Sequence, residues 1–310
     1  MTDLRQAVDD YLRLRRSLGH QMAEAAYLLP DFVRFMDDRG EQTVTIAAAL
    51  DWMKTREPEV ITTVSPRRIT AVRGFARYLS GIDPATEVPP LGLVPYNRRR
   101  GQIFLYSDAD IAAIMTAAKE TIPQPLRAAT YHTLIGLLAA SGLRIGEAIK
   151  LDRNDIDWTE GILHIRESKF GKSRLVPLQD STTNALREYD RLREDSMPRP
   201  KDPAFFISLT AKRLIYAGVD PVFRALVDTA GVGLDAPHRP RLHELRHTFA
   251  VRTLLHWYRT EDNIQAKIPS LSTYMGHREP ACTYWYLSAA PELLALAAAR
   301  RDGIRKAART

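Results

Sequence analysis

The stretch that decides the fold runs over residues 162–178 and reads ILHIRESKFGKSRLVPL. Two short runs of aliphatic residues, 162–165 and 175–178, flank a basic turn at 169–172, which is the composition of a β-hairpin. On both sides of this hairpin the apolar residues recur at helical spacing, as in the run 125–140. The sequence therefore predicts a mainly α protein with a small antiparallel β-sheet.

The first ninety residues have the pattern of a separate helical domain. Helical periodicity occurs in four stretches, which lie at 4–18, 21–38, 45–55 and after Ser65-Pro66. Pro30 is expected to kink or divide the second stretch, because proline lacks the backbone N–H that a helix uses. The fourth stretch carries Arg73 and Arg77 one helical turn apart, either on a solvated face or as contacts to a DNA backbone.

A proline-rich segment separates this domain from the rest. Residues 81–101 contain four prolines and no helical period, which is typical of a linker. We therefore expect a core-binding-like helical domain over 1–90, a linker over 91–104 and a second domain over 105–310 that ends in a tail helix. The apolar face of that tail could pack on its own subunit or on a neighbouring one.

Composition and charge limit the function classes. Hydrophobic residues make up 45% of the chain and charged residues 26%, which is the usual mixture in a soluble globular protein. The chain has no apolar run long enough for a membrane span, and acidic residues near the N-terminus argue against a signal peptide, so we expect a cytoplasmic protein. The one cysteine, Cys282, excludes an internal disulfide, and we expect it to be packed.

The positive charge is unevenly placed. Residues 1–95 hold 12 Lys and Arg against 13 Asp and Glu, whereas residues 96–310 hold 32 against 24. The net charge of +7 therefore comes from the second part, which includes the linker run Arg98, Arg99 and Arg100. This distribution is compatible with a polyanionic partner such as DNA.

Two motifs near the hairpin carry basic side chains. Arg144 follows a Ser-Gly break at the start of a helix, and Glu147 comes three residues later. The hairpin itself carries Lys169, Lys172 and Arg174, which could contact a phosphate or enter a groove. Each motif alone is compatible with an ordinary surface.

Two further motifs follow towards the C-terminus. His243 and Arg246 share one helix face near a helix start, where the helix dipole favours an anion. His243 and His247 also have a spacing that occurs in zinc sites, but no third ligand accompanies them and Arg246 would repel a cation. His277 precedes Tyr286 by nine residues.

Taken in order, these motifs resemble the catalytic signature of the tyrosine recombinases, the phage integrase family. The order is arginine, hairpin lysine, His-x-x-Arg, Gly-His and tyrosine, and the matching text is SGLRIGEAIKL, SKFGKSRLVPL, HELRHTFA and GHREPACTYWYL. The resemblance covers about residues 105–290, and the N-terminal helices fit the family's core-binding domain more loosely. The segment 258–274 and the Tyr-Trp-Tyr-Leu ending are similar to integrases of transposons, plasmids or integrative elements.

The resemblance implies a site-specific recombinase that cuts and rejoins DNA through a 3′-phosphotyrosyl intermediate, without metal, ATP or another cofactor. It assigns the nucleophile to Tyr286, with Tyr284 as an alternative, and the proton donor to Lys169, with Lys172 as an alternative. The other implied site residues are the phosphate clamp Arg144 and Arg246, the orienting Glu147, His243 for proton transfer at the tyrosine, and His277 as a phosphate contact.

The resemblance also implies partners and a shape. We expect a C-shaped two-domain clamp on specific double-stranded DNA sites, a homotetramer in the synaptic complex, and accessory proteins in some settings. The residues expected to contact DNA are Arg73, Arg77, Arg98, Arg99, Arg100, Lys172 and Arg174. A catalytically silent DNA-binding protein on the same fold is the alternative function, and a type IB topoisomerase would use similar chemistry.

Overall fold

The computed structural model of the chain describes residues 3–55, 65–94, 103–166, 173–260, 263–277, 279, 281–289 and 293–294. The chain divides into two units, residues 1–100 and residues 101–310. Among the described residues, every helix is too short or too polar to span a membrane.

The described part of the first unit consists of helices: α1 (Leu4–Ser17), α2 (Ala23–Asp38), α3 (Ile46–Lys54) and α4 (Ser65–Leu79). Their starts have the expected capping chemistry. The Asp3 side chain accepts a hydrogen bond from the backbone N–H of Arg5, and the Thr45 side chain caps α3. Phe32, Met36, Trp52 and Phe75 are fully buried between these helices and form the core of the unit.

Of the two effects expected of Pro30, a kink or a division of the second helix, the division is wrong, because α2 runs unbroken through Pro30. A proline inside a helix removes one backbone hydrogen bond. Leu29, Phe32 and Val33 on the same helix are buried, and their burial outweighs that loss.

The second unit is mainly helical with one small sheet, which confirms the predicted fold class. Its helices are α5 (Asp108–Thr121), α6 (Pro125–Ser141), α7 (Ile145–Lys150), α8 (Asp180–Ser196), α9 (Tyr216–Thr229), α10 (Leu242–Thr260), α11 (Ile264–Met275) and α12 (Ala281–Ala289). Its described strands are β1 (Ile156–Asp157), β2 (Ile162–Ile165) and β3 (Arg174–Pro177).

The strands form an antiparallel sheet in the order β1-β2-β3. Leu163 pairs with Val176 across β2 and β3, and both side chains are fully buried. β2 and β3 therefore pair in antiparallel register, as the two aliphatic runs predict. The predicted turn, with Lys169 and Lys172, lies outside the described residues.

A close approach at Gly142 joins the core of this unit to α10. Gly142 ends α6 with a φ of +60°, and a Cβ atom built on it would lie 2.4 Å from the Phe249 ring. Only glycine allows both this backbone conformation and this contact. The end of α6 is therefore held against α10, which carries the His-x-x-Arg motif.

The last helices form a cluster of their own. Val251 and Leu254 of α10, Ile268 of α11 and Tyr286 of α12 are buried together. This packing places Tyr286 against α10. Cys282, by contrast, is exposed, so the prediction that it is packed is wrong: it lies on the outer side of α12.

Candidate active site

Arg144 is held in place by Glu147. Arg144 is the N-cap residue of α7. Its backbone N–H (2.9 Å) and its Nη1 (2.8 Å) both donate hydrogen bonds to the buried carboxylate of Glu147. The carboxylate therefore fixes both the backbone and the guanidinium of Arg144, in line with the orienting role predicted for it.

The same carboxylate binds a second arginine. Both Nη atoms of Arg174, the first residue of β3, donate to Glu147 at 3.0 and 2.9 Å, and the Arg174 side chain is only 9% exposed. Arg174 thus lies beside Arg144 inside the site. The prediction that it contacts DNA stays a prediction.

The C-terminal end of α11 supplies an anchor for three guanidiniums. Three successive backbone carbonyls each accept a hydrogen bond from a different arginine: Tyr274 from Arg174 Nε (2.7 Å), Met275 from Arg246 Nη2, and Gly276 from Arg144 Nη2 (2.8 Å). The carbonyls at a helix C-terminus carry a partial negative charge, which favours cations there.

Gly276 makes this anchor possible. It caps α11 in the left-handed conformation with a φ of +66°. A Cβ atom at this position would lie 2.8 Å from Arg174 Nη1 and 3.3 Å from Arg144 Nη1. A side chain here would therefore strain the backbone and displace two guanidiniums.

Arg246 lies deepest in the site. It is 3% exposed, and its Nη1 donates to the Gly142 carbonyl at 2.6 Å. Burial, and then the charge of Arg144, lower the pKa of Arg246 to about 10, so the guanidinium remains protonated at neutral pH. In the described part of the chain, these three guanidiniums share the Glu147 carboxylate and so leave an excess of positive charge, which suits an anion such as a phosphate.

Tyr286 faces this charge. It is 3% exposed, and its hydroxyl lies 3.0 Å from Nδ1 of His247. Burial raises the pKa of Tyr286, while the nearby charges of Arg246 and Arg144 act in the opposite direction. Tyr284, the alternative nucleophile, is 47% exposed on the same helix. The structure therefore brings Tyr286 to the arginines.

Two histidines, His247 and His277, contact Tyr286, and His243 lies beside His247. Partial desolvation in the site, followed by the charges of Arg246 and Arg144, lowers the pKa of His243 and of His277 to about 4. His277 Nδ1 lies 2.8 Å from the Thr283 hydroxyl, and its ring stacks on Tyr286 with 6.0 Å between centroids. His243 is exposed at the mouth of the site, with its ring 4.7 Å from that of His247.

Among the described residues, no group of three or more His, Cys, Asp or Glu side chains is arranged to hold a metal ion. His243 and His247 lie one turn apart on α10, but His247 contacts Tyr286. The pair therefore belongs to the tyrosine site.

The other predicted residues that the structure describes, Arg73 and Arg77, belong to the first unit. Arg73 donates to the backbone carbonyls of Pro89 (2.7 Å) and Pro90 (2.8 Å) within the first unit, and Arg77 is exposed on α4. The remaining predicted residues, Lys169, Lys172, Arg98, Arg99 and Arg100, lie outside the described residues.

Sequence reasoning assigned no role at the tyrosine to His247 or Thr283. His247 follows His243 by one turn of a helix, so its place on the same face was readable from the spacing. Thr283 precedes Tyr286 by three residues, which puts it on the same side of α12. The backbone carbonyls at the end of α11 could not be predicted as arginine acceptors, because no side chain marks them in the sequence. Gly276 after an apolar helix is, however, a recognisable helix cap.

Comparisons with known proteins agree with this geometry. Residues 105–292 match the model of the phage integrase family. The chain is 40% identical over 300 residues to y4rB of Sinorhizobium fredii, a protein named as an integrase/recombinase, with 95% of each chain covered. It is 31% identical over 234 residues to the tyrosine recombinase XerC of Pelotomaculum thermopropionicum, covering 74% of this chain and 71% of that one.

The fold also matches a solved structure. The integrase of transposon Tn1549, solved in complex with transposon right end DNA, superposes with a TM-score of 0.66 at 15% identity and covers 95% of this chain and 98% of that one. The family match spans more than half of the chain and includes the arginine, histidine and tyrosine motifs. The chain therefore belongs to the phage integrase family and is a tyrosine-type site-specific recombinase.

Proposed function

We propose that this recombinase cleaves and rejoins strands of double-stranded DNA at specific sites through a 3′-phosphotyrosyl intermediate on Tyr286, without metal or ATP. One observation carries the proposal: the buried Tyr286 lies close enough to Arg246 and Arg144 for their positive charges to lower its pKa, beside an arginine cluster held by Glu147. A nucleophile next to an excess of positive charge suits attack on a phosphodiester.

The proposed step is an in-line displacement. Tyr286 Oη attacks the scissile phosphorus, the P–O5′ bond breaks, and the DNA strand leaves with a 5′-hydroxyl. Arg144 and Arg246 hold the non-bridging oxygens, because a planar guanidinium binds phosphate through two parallel N–H groups. His277, fixed by Thr283, donates to the same phosphate. Lys169 protonates the departing oxygen, a role that rests on the family resemblance.

Rejoining is the reverse displacement. A 5′-hydroxyl attacks the phosphotyrosyl phosphorus, and Tyr286 leaves. Because the covalent link keeps the energy of the broken phosphodiester, no ATP is consumed. The positive charge that two metal ions supply in many nucleases comes here from the arginines.

The proposed partners are specific DNA sites and further copies of the chain. Residues 96–310 carry the positive excess of the sequence, which suits a DNA backbone. A recombinase with the same fold has been solved as a dimer on DNA, lambda integrase on its core site, at a TM-score of 0.58. We propose a two-domain clamp on each site and a tetramer when two sites are paired, assisted in some settings by accessory proteins.

Covalent trapping tests the proposal. Purified protein is mixed with supercoiled plasmid that carries its native flanking DNA, in EDTA, and the reaction is quenched with SDS. We expect a protein–DNA adduct with wild type and Tyr284→Phe but not with Tyr286→Phe. An adduct that survives in Tyr286→Phe would overturn the choice of nucleophile. DNA binding by wild type without any adduct would favour the catalytically silent DNA-binding protein.

A further inference from the structure

His247 makes a direct contact with the reacting atom of the site. Its Nδ1 lies 3.0 Å from Tyr286 Oη, and the two rings lie 5.4 Å apart between centroids. The resemblance implies proton transfer at the tyrosine by His243, which lies one turn earlier on α10 and is exposed. The histidine that contacts the tyrosine hydroxyl is therefore His247, whereas the resemblance indicates His243.

The environment of His247 keeps its imidazole neutral. Desolvation lowers the pKa of His247 to about 3, and further lowering comes from four groups that face it: His243, Arg246, Arg241 and His277. On α12, the rings of Trp285 and Tyr286 pack against it. In the neutral tautomer that carries its hydrogen on Nε2, Nδ1 of His247 accepts a hydrogen bond from the Tyr286 hydroxyl, 3.0 Å away.

A bound phosphate changes this environment. Beyond desolvation, the field of nearby positive charges, including Arg246 and Arg241, depresses the basicity of His247. A phosphodiester between Arg144 and Arg246 cancels part of that field, because opposite charges at short range favour the protonated imidazole. His247 therefore becomes a stronger base when the DNA backbone occupies the site.

We propose that His247 is the general base of strand cleavage, which accepts the proton of Tyr286. This assignment rests on the proposed function. As Oη forms its bond to phosphorus, its proton moves to His247 Nδ1, and the P–O5′ bond breaks with O5′ protonated by the general acid. In rejoining, the imidazolium returns the proton to the departing Tyr286 oxygen. Each proton taken up in cleavage is thus released in rejoining.

The pH dependence of single-turnover cleavage tests the assignment. A nicked substrate that loses a short fragment makes cleavage irreversible, and adduct formation is timed between pH 6 and pH 9 for wild type and His247→Asn. Asparagine keeps a polar atom at the δ position but takes up no proton. We expect His247→Asn to be at least about 100-fold slower at neutral pH. Its rate should rise about tenfold per pH unit, because only the ionised tyrosine then attacks.

A matched control is His256→Asn, on the exposed side of the same helix, and we expect it to keep the wild-type rate and pH profile. Thermal unfolding and DNA affinity are measured on all three proteins. A second variant, His247→Gln, replaces His247→Asn if the latter unfolds. A wild-type rate, or a reduced rate with the wild-type pH profile, would overturn the assignment.

A substrate with sulfur in place of the bridging 5′ oxygen separates the two proton transfers. A thiol has a pKa of about 8.5 and leaves without a proton, so this substrate removes the need for a general acid. We expect adduct formation by His247→Asn to stay slow on the sulfur substrate. If the sulfur substrate instead restores the wild-type rate, His247 acts at the leaving group and the proposal is overturned. If wild type forms no adduct with either substrate, the proposed function itself fails.

Discussion

The guanidinium of Arg174 holds the carboxylate of Glu147 through two hydrogen bonds, of 3.0 and 2.9 Å. The same buried carboxylate also binds Arg144. We predict that Glu147→Gln destabilises the protein by about 2 kcal/mol, because the amide NH2 would face donors and leave them without an acceptor.

Urea unfolding measures this loss, and the rate of adduct formation should fall with it. Glu160→Gln is the control, because Glu160 is exposed and should change neither quantity. Equal stability of wild type and Glu147→Gln would show that the carboxylate does not hold the two arginines.

Gly276→Ala should lower the rate of adduct formation by more than its loss of stability explains. A non-glycine residue in the left-handed region costs about 1–2 kcal/mol. The new Cβ would also displace the guanidiniums of Arg174 and Arg144, and a misplacement of this kind costs about 100-fold in rate.

Gly231→Ala separates the two effects. Gly231 lies in the same unit and has a φ of +63°. A Cβ atom built on it would meet only the Leu234 side chain, at 3.9 Å. Both variants should lose similar stability in urea, and only Gly276→Ala should lose the rate of adduct formation. Equal rates in the two variants would contradict the role given to Gly276.

Stability should decrease as the pH falls from about 6.5 towards 4. The pKa of His277 is lowered to about 4 in the folded protein, from a usual value near 6.5. The unfolded chain therefore binds more protons in this range, so the contribution to stability is complete above pH 6.5 and is lost below it.

Urea unfolding at pH 7, 6 and 5 measures this decrease in the free energy of unfolding. For each extra proton bound by the unfolded chain, the decrease is at most about 1.4 kcal/mol per pH unit. His277→Asn should reduce the slope but not abolish it, because the lowered pKa values of His243 and His247 act in the same direction, and His256→Asn should leave the slope unchanged. A wild-type curve that is flat over this range would refute the prediction.

Arg77 and Arg73 should respond differently in DNA binding. Arg77 is exposed on α4, so Arg77→Gln should weaken binding and reduce the salt slope by about 0.9, as for one lost phosphate contact. Arg73 binds the Pro89 and Pro90 carbonyls, so Arg73→Gln should destabilise the first unit instead. Fluorescence anisotropy from 50 to 300 mM salt checks the slopes, and an unchanged slope in Arg77→Gln would remove Arg77 from the interface.

The sequence was most informative where side chains carry the signal. Helical spacing located the helices, and the order of Arg144, the His243–Arg246 motif and Tyr286 indicated residues that the fold then brings together. It was less informative where burial decides. Pro30 lies in an unbroken helix because of packing by residues distant in the chain, and Cys282 is exposed because of the orientation of α12.

Two parts of the site had weaker signals. Arg174 reads as one more basic residue of the hairpin, and only the three-dimensional position of Glu147 turns its side chain inward. His247 was interpretable as a possible metal ligand with His243, and its contact with Tyr286 depends on how α12 packs on α10. Long-range packing of this kind is not contained in local spacing.

The anchor at the end of α11 consists of backbone atoms. Because Tyr274, Met275 and Gly276 hold three arginines through their carbonyl oxygens, the side chains at the first two positions can vary without releasing the guanidiniums. Engineers who redesign this recombinase for new target sites can therefore replace exposed residues of α11, such as Gln265, Ser270 and Thr273, provided that the last turn and Gly276 keep their backbone path.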